Sequence, residues 1–248
     1  MAQVSPLRER IGATSPMEAV RYLNLLVYGP AGSGKTYLAG TAQDHPDTSP
    51  VLFLDMEGGT TTLRHRKDID VVRVETTERL NEVYEMVAMD TEDYYKTIVL
   101  DSLTELHSVI MSDVMKVRIE KRPDLAGEPP GMKEWGLAGD KLKVVVRAFR
   151  DLPCNTILIA LDKTDKDENG KVSISPSLPG QLSGNIPGFL DIVGYMTANE
   201  EDDGIVRRLQ TQKTRKVIAK DRTGALPALI ESPSIPLIFE ALSDDEGE

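Results

Sequence analysis

Gly29-Pro30-Ala31-Gly32-Ser33-Gly34-Lys35-Thr36 sets three glycines, a lysine and a threonine in the order G-x-x-x-x-G-K-[ST]. Glycine lets successive backbone N–H groups turn inward on an anion with no Cβ in the way. A lysine and a hydroxyl at the end of the run suit the phosphate chain of a nucleoside triphosphate. Lys35 would reach the β- and γ-phosphates, and the Thr36 hydroxyl would ligate Mg²⁺. A second segment, Thr97-Ile98-Val99-Leu100-Asp101, is an apolar strand ending in an acid, and Asp101 would hold the metal or its water. In a third, Leu54-Asp55-Met56-Glu57-Gly58-Gly59, Glu57 stands just past a strand end, where it could orient and deprotonate an attacking water. Taken singly, Asp101 also reads as a helix cap and Glu57 as a solvated acid beside a Gly-Gly turn. Taken together, the three segments point to ATP and Mg²⁺ as cofactors and to hydrolysis as the reaction.

Such a site needs strands ending in a common crevice and a helix starting at the glycine run. Leu23–Tyr28, Val51–Leu54, Val71–Val74, Thr97–Leu100 and Thr156–Ala160 read as buried strands, rich in β-branched and large apolar residues. Between them, Leu80, Val83, Tyr84 and Val87, and again Leu142, Val145, Val146 and Phe149, recur at helical spacing. Ser102–Glu120 reads as a further helix. The alternation predicts an α/β fold: a mostly parallel central sheet with helices on both faces. After Ala160 the chain turns to Pro/Gly/Ser-rich loops. Asp167-Glu168-Asn169-Gly170 reads as a hairpin turn, and Asp191–Thr197, Ile205–Thr211 and Arg215–Ala219 as a C-terminal antiparallel extension. The expected organisation is a lead-in over 1–21, one ATPase domain over 22–242 and an acidic tail over 243–248.

The chain has 248 residues, enough for one sizeable core, and its 40% hydrophobic content is too high for a disordered chain. No apolar run approaches the roughly 20 residues that span a bilayer. The start of the chain lacks the hydrophobic block of a secretory signal, so no membrane partner is expected. One cysteine, Cys154, excludes an intramolecular disulfide and fits a reducing cytoplasm. Three scattered histidines do not build a zinc site. The net charge of −11 is unevenly spread: residues 204–222 hold seven bases against Asp221 alone. Residues 116–150 are basic as well, which segregates charge into a potential basic face.

The ordered segments GPAGSGKT, LFLDMEGG, TIVLDS, TILIAL and IAKDR resemble the RecA-like P-loop ATPase core over about residues 22–226. The resemblance is greatest to the phage single-strand annealing and recombination ATPases of Sak type. It implies that Glu57 is the catalytic base and that Asp101 is the magnesium residue. It also implies that Lys220 and Arg222, one residue apart, reach a neighbour's γ-phosphate, so that a homo-oligomer would carry ATP at its subunit interface. A phage protein of this kind would act in the host cytoplasm. The departure is at Leu161-Asp162-Lys163, where an acid–base pair stands in place of the usual polar sensor.

The same resemblance places two DNA-contacting loops, at Arg122–Lys133 and at about Lys163–Asn185. Basic residues near them, Lys133, Lys143, Arg147, Arg150 and Lys163, are the candidate contacts for single-stranded DNA; Lys143, Arg147 and Arg150 recur at i, i+4, i+7. Such a stripe also reads as a solvated face. Trp135, spaced with Ala138 and Leu142, reads as a core residue more readily than as a stacking platform. The function expected is ATP hydrolysis coupled to single-stranded DNA binding, with annealing or recombination as its outcome. Two alternatives stand beside it. One is a metabolic phosphotransferase using Arg64-His65-Arg66-Lys67 as a lid; the other is a nucleotide-gated scaffold with slow hydrolysis.

Overall fold

A computed structural model describes residues 10–13, 22–166, 170–202 and 204–244. Among the described residues ten strands form one sheet. In chain order they are β1 Asn24–Gly29, β2 Val51–Asp55, β3 Ile69–Arg73, β4 Thr97–Asp101, β5 Asn155–Lys166, β6 Val172–Pro176, β7 Ile192–Glu201, β8 Gly204–Gln210, β9 Lys220–Asp221 and β10 Leu229–Glu231. Their spatial order is β10-β8-β7-β1-β5-β4-β2-β3, with β6 paired to β5 and β9 to β7. The strands from β7 through β3 run parallel. Strands β6, β8, β9 and β10 are antiparallel to their partners.

The near-continuous apolar character of β1, β2 and β4 follows from burial on both faces, as parallel sheets require. Successive residues of a strand point to opposite faces. Leu25 and Val27 therefore enter one core, and Leu26 and Tyr28 the other. On the first face lie α1 (Lys35–Gly40) and the last helix, α6 (Ile235–Asp244); on the second lie α2 (Thr77–Ala88), α3 (Leu103–Lys121), α4 (Met132–Arg150) and α5 (Leu182–Phe189). Helices α2 and α3 start on side-chain caps, with Thr76 accepting from Arg79 N–H and Ser102 from Glu105 N–H.

Several expectations need correction. Asp191–Thr197 is not wholly antiparallel: β7 runs parallel to β1 and antiparallel to β8 and β9. Arg215–Ala219 is no strand; it meets the sheet through an isolated parallel bridge between Ile174 and Val217 and through the Tyr28 hydroxyl, which donates to the Ile218 carbonyl at 2.6 Å. The segment Lys163–Asn185 is largely ordered as the β5–β6 hairpin and the start of α5. Three residues of its expected turn Asp167–Gly170, 167–169, lie outside the described residues, as do most of the lead-in and positions 245–248 of the expected tail. Lys133, expected to end the first loop, falls instead in the first turn of α4, which begins at Met132. Trp135 is 45% exposed, while Ala138 and Leu142 are fully buried. Its ring stacks on the buried His107 at 5.7 Å.

Candidate active site

Strand β1 ends in Gly29, and the chain turns through the glycine run into α1. Gly32 and Gly34 hold φ values of +76° and +98°, a region that L side chains avoid. Gly29 has a different constraint: a Cβ there would lie 2.1 Å from the Met196 carbonyl oxygen on β7. The Ser33 hydroxyl is buried in this turn and has no hydrogen-bond partner among the described residues. The Lys35 ammonium is buried and donates to the carbonyls of Gly29 and Pro30, both at 2.8 Å.

Thr36 Oγ1 donates to Asp101 Oδ2 at 2.6 Å. This contact joins the start of α1 to the end of β4, two strands away in the sheet. Asp101 is only 4% exposed. Burial, reinforced by the carboxylates of Glu57 and Asp55, pushes its pKa up to about 6 against the opposing Thr36 hydroxyl and Lys35 ammonium. Lys35 is moved the other way: burial lowers its pKa, while Asp101, Glu57 and Asp162 work to keep it charged.

Glu57 follows β2, which pairs with β4 so that Asp55 faces Asp101. Its carboxylate accepts from Ser102 Oγ. The turn carrying it is tied by Asp55 Oδ1, which accepts from the N–H groups of Glu57 and Gly58 at 3.0 and 2.7 Å. Arg73 reaches the same oxygen at 3.5 Å. Asp55 and Ser102 are thus positioning residues that the sequence reading did not identify as such. The signal for Asp55 was present: an acid closing an apolar strand ahead of a Gly-Gly turn is an Asx-turn former. Asp162 stands one residue past Leu161, the register partner of Gly29, and accepts from Tyr195 OH at 3.4 Å.

The residues expected to hold phosphate, metal and water are therefore together: the loop 29–36, Thr36, Asp101 and Glu57. The donors fit the ion. Thr36 and Asp101 offer oxygen, the chemistry Mg²⁺ takes, and Ser33 Oγ is an unsatisfied buried group in the phosphate cradle. Among the described residues no group of three or more His, Cys, Asp or Glu side chains could hold a metal ion by itself.

Lys220 and Arg222 do not join this site within the chain. Asp221 pairs with Ile192, which lies level with Leu25, four residues before Gly29. At about 3.3 Å per residue that sets the backbone of Asp221 roughly 13 Å from the level of Gly29 along the strand direction, with Lys220 one residue nearer and Arg222 one farther, toward the opposite end of the sheet. There Lys220 donates to the Pro187 carbonyl at 2.9 Å, and Arg222 pairs with Asp191 at 2.8 Å. In the same basic segment Lys213, Arg215 and Lys216 are exposed, and no ion pair engages them among the described residues.

The expected DNA contacts are dispersed. Lys133 and Arg150 lie near opposite ends of α4, about 26 Å apart at about 1.5 Å per residue. Lys143 is paired with Asp140, Arg150 with Asp151 and Lys163 with Asp165. Arg147 lies 4.2 Å over the Phe189 ring. Lys133 is exposed. Arg66, in the segment considered as a phosphotransferase lid, is paired with Asp44 and lies over the Tyr37 ring, so the fold already uses it. No described helix is long and apolar enough to cross a membrane.

No curated protein matches the chain. Among solved structures, a KaiC-like protein from the hyperthermophilic archaeon Pyrococcus horikoshii OT3 is similar at 15% identity and a TM-score of 0.43, over 84% of this chain and 88% of that one. A family model described as an AAA domain matches residues 21–223, from the strand entering the phosphate loop to just past β9. The chain therefore belongs to the AAA-domain family, and it is an AAA-type P-loop ATPase domain.

Proposed function

We propose that this chain binds ATP with Mg²⁺ and hydrolyses it, and that single-stranded DNA modulates the turnover. The observation that carries the reading is the convergence of Thr36, Asp101 and Glu57 beside the glycine turn, from three separate strand ends. The loop N–H groups and Lys35 would cradle the phosphates. Thr36 and Asp101 would hold Mg²⁺, whose contribution when bound is to neutralise charge on the β- and γ-phosphoryl oxygens. Glu57, held by Ser102, would accept a proton from water as the water oxygen bonds to the γ-phosphorus. The bond from that phosphorus to the bridging oxygen breaks, leaving ADP and inorganic phosphate.

The DNA half of the proposal rests on continuity. Strand β5 runs unbroken from the level of Gly29 into the hairpin that carries Lys163 and Lys166. A strand that passes the start of the phosphate loop at Leu161 and offers cations a few residues further on can couple the two. Annealing or recombination by a homo-oligomer, with ATP between subunits and Lys220 and Arg222 acting on a neighbour, is the fuller form of this reading. The placement of that pair away from its own phosphate loop suits action in trans.

ATP turnover measured with and without single-stranded DNA, for the native chain and Glu57→Gln, tests it. DNA-stimulated turnover lost in Glu57→Gln is the expected result. Turnover that requires a small-molecule acceptor would replace the proposal with phosphotransfer, and assembly on ATP without turnover would replace it with a scaffold.

A further inference from the structure

Arg207 lies on β8 opposite Ala198 of β7. Two residues along, Leu209 and its partner Met196 are buried in the core that also contains Leu38 of α1, so Arg207 is on the phosphate-loop face of the sheet. It reaches that loop. A Cβ at Gly34 would sit 2.8 Å from Arg207 Nε and 3.0 Å from its Cδ. The side chain is exposed, and no carboxylate pairs with it among the described residues. Arg208, its neighbour in sequence, is treated oppositely: it binds both Glu201 and Glu231. Guanidinium groups pair strongly and bidentately with carboxylate or phosphate. One arginine of this pair is satisfied by acids of the chain, while the other is held against a turn that already offers inward N–H groups and a lysine. Positive charge is being concentrated there, which is unfavourable unless an anion completes the site.

The sheet order places this cation opposite the metal residue. From β1, Asp101 is two strands away through β5 to β4, and Arg207 is two strands away through β7 to β8. We propose that Arg207 contacts the phosphate chain of the nucleotide from within the same chain, on the flank away from Asp101. Lys220 and Arg222 play no part in this contact. The inference rests on the proposal that the chain binds ATP.

Binding of a fluorescent ATP analogue to the full chain with Mg²⁺, and its displacement by inorganic tripolyphosphate, should be measured for the native protein, Arg207→Ala and Arg207→Lys. The expected result is a loss of about 10-fold or more for both probes in Arg207→Ala, as for a charged hydrogen bond. Arg207→Lys should recover part of it. The thermal midpoint without nucleotide should not move, because among the described residues no carboxylate pairs with the side chain. If Arg207→Ala folds poorly, Arg207→Lys carries the same comparison. Native protein that binds no ATP would remove the nucleotide proposal, and this one with it. Native protein that binds ATP, with both variants matching it, would overturn the role of Arg207 alone. So would a loss seen for the ATP analogue but not for tripolyphosphate, since the contact would then be to the nucleoside.

Discussion

Ser102 Oγ donates a hydrogen bond to Glu57 Oε1 across 45 residues of sequence, joining the turn after β2 to the cap of α3. The peptide next to this hydroxyl is that of Asp101, whose carboxylate meets Thr36. The proposed base and the proposed metal residue are therefore set by one short piece of backbone. Glu57→Gln keeps an acceptor for Ser102 but removes the proton acceptor. Turnover should fall by about 10²–10⁴, the usual worth of a general base, with ATP affinity within about 2-fold. Ser102→Ala frees the carboxylate without removing it, so a smaller loss in turnover is expected. Single-turnover hydrolysis alongside equilibrium ATP binding checks both; equal losses for the two variants would contradict the division of roles.

Asp101 supplies a pH dependence with a definite sign. Its folded pKa, about 6, lies above its ordinary value of 3.8. Between those values the folded chain binds the extra proton, so this group's contribution makes the nucleotide-free protein less stable as pH rises from about 4 to 6. Metal binding needs the ionised form and runs the other way: affinity for Mg²⁺ with nucleotide should increase through pH 6 and level off above it. Asp101→Asn should flatten the stability trend in that window and abolish metal-dependent binding. Thermal melts and Mg²⁺ titrations between pH 4.5 and 8 read the two effects separately.

Most of this site was legible because its chemistry is written locally. The glycine run, the acid ending Thr97–Asp101 and Glu57 before Gly58-Gly59 each show in a few consecutive residues, and all five expected strands form; four are buried, whereas the one expected at Val71–Val74 is the edge strand β3, with Val71 45% exposed. What escaped depends on register. Arg207 is one base among seven in its segment, and only the pairing of β8 with β7 puts it against Gly34. Lys220 and Arg222 show the converse, since their spacing matched a motif while the pairing of β9 with the start of β7 sets them at the far end of the sheet. Strand β10 and helix α6 were passed over. Strand β10 has three residues, and the Leu229–Ile238 stretch is broken by Pro233 and Pro236, which masks both periods.

Gly29 offers a test of packing beneath the site. Its missing side chain lets the end of β1 approach the Met196 carbonyl of β7, a rigid backbone atom that cannot rotate aside. Gly29→Ala should force those strands apart and cost about 1–3 kcal/mol, as overpacking does. Gly59→Ala is the control, since its Cβ would meet nothing within 4 Å and its φ is −90°. A denaturant midpoint lowered in the first variant and unmoved in the second is the expected pattern.

The basic segment decides whether the site is completed by another copy. Lys220 and Arg222 stand too far from their own phosphate loop to serve it, so any role in catalysis must be in trans. Replacing both with alanine should then lower turnover by about 10³ or more, the scale of an arginine finger, while leaving ATP binding intact. Mixing that variant with Glu57→Gln should restore activity, because some interfaces would pair an intact base with intact cations. Loss of Lys213 and Arg215 is the necessary comparison, as these cations are exposed on the same basic segment and take part in no ion pair among the described residues. If their removal abolishes turnover and removal of Lys220 and Arg222 does not, the lent charge comes from the loop after β8. If neither pair matters and mixing restores nothing, each chain hydrolyses ATP alone.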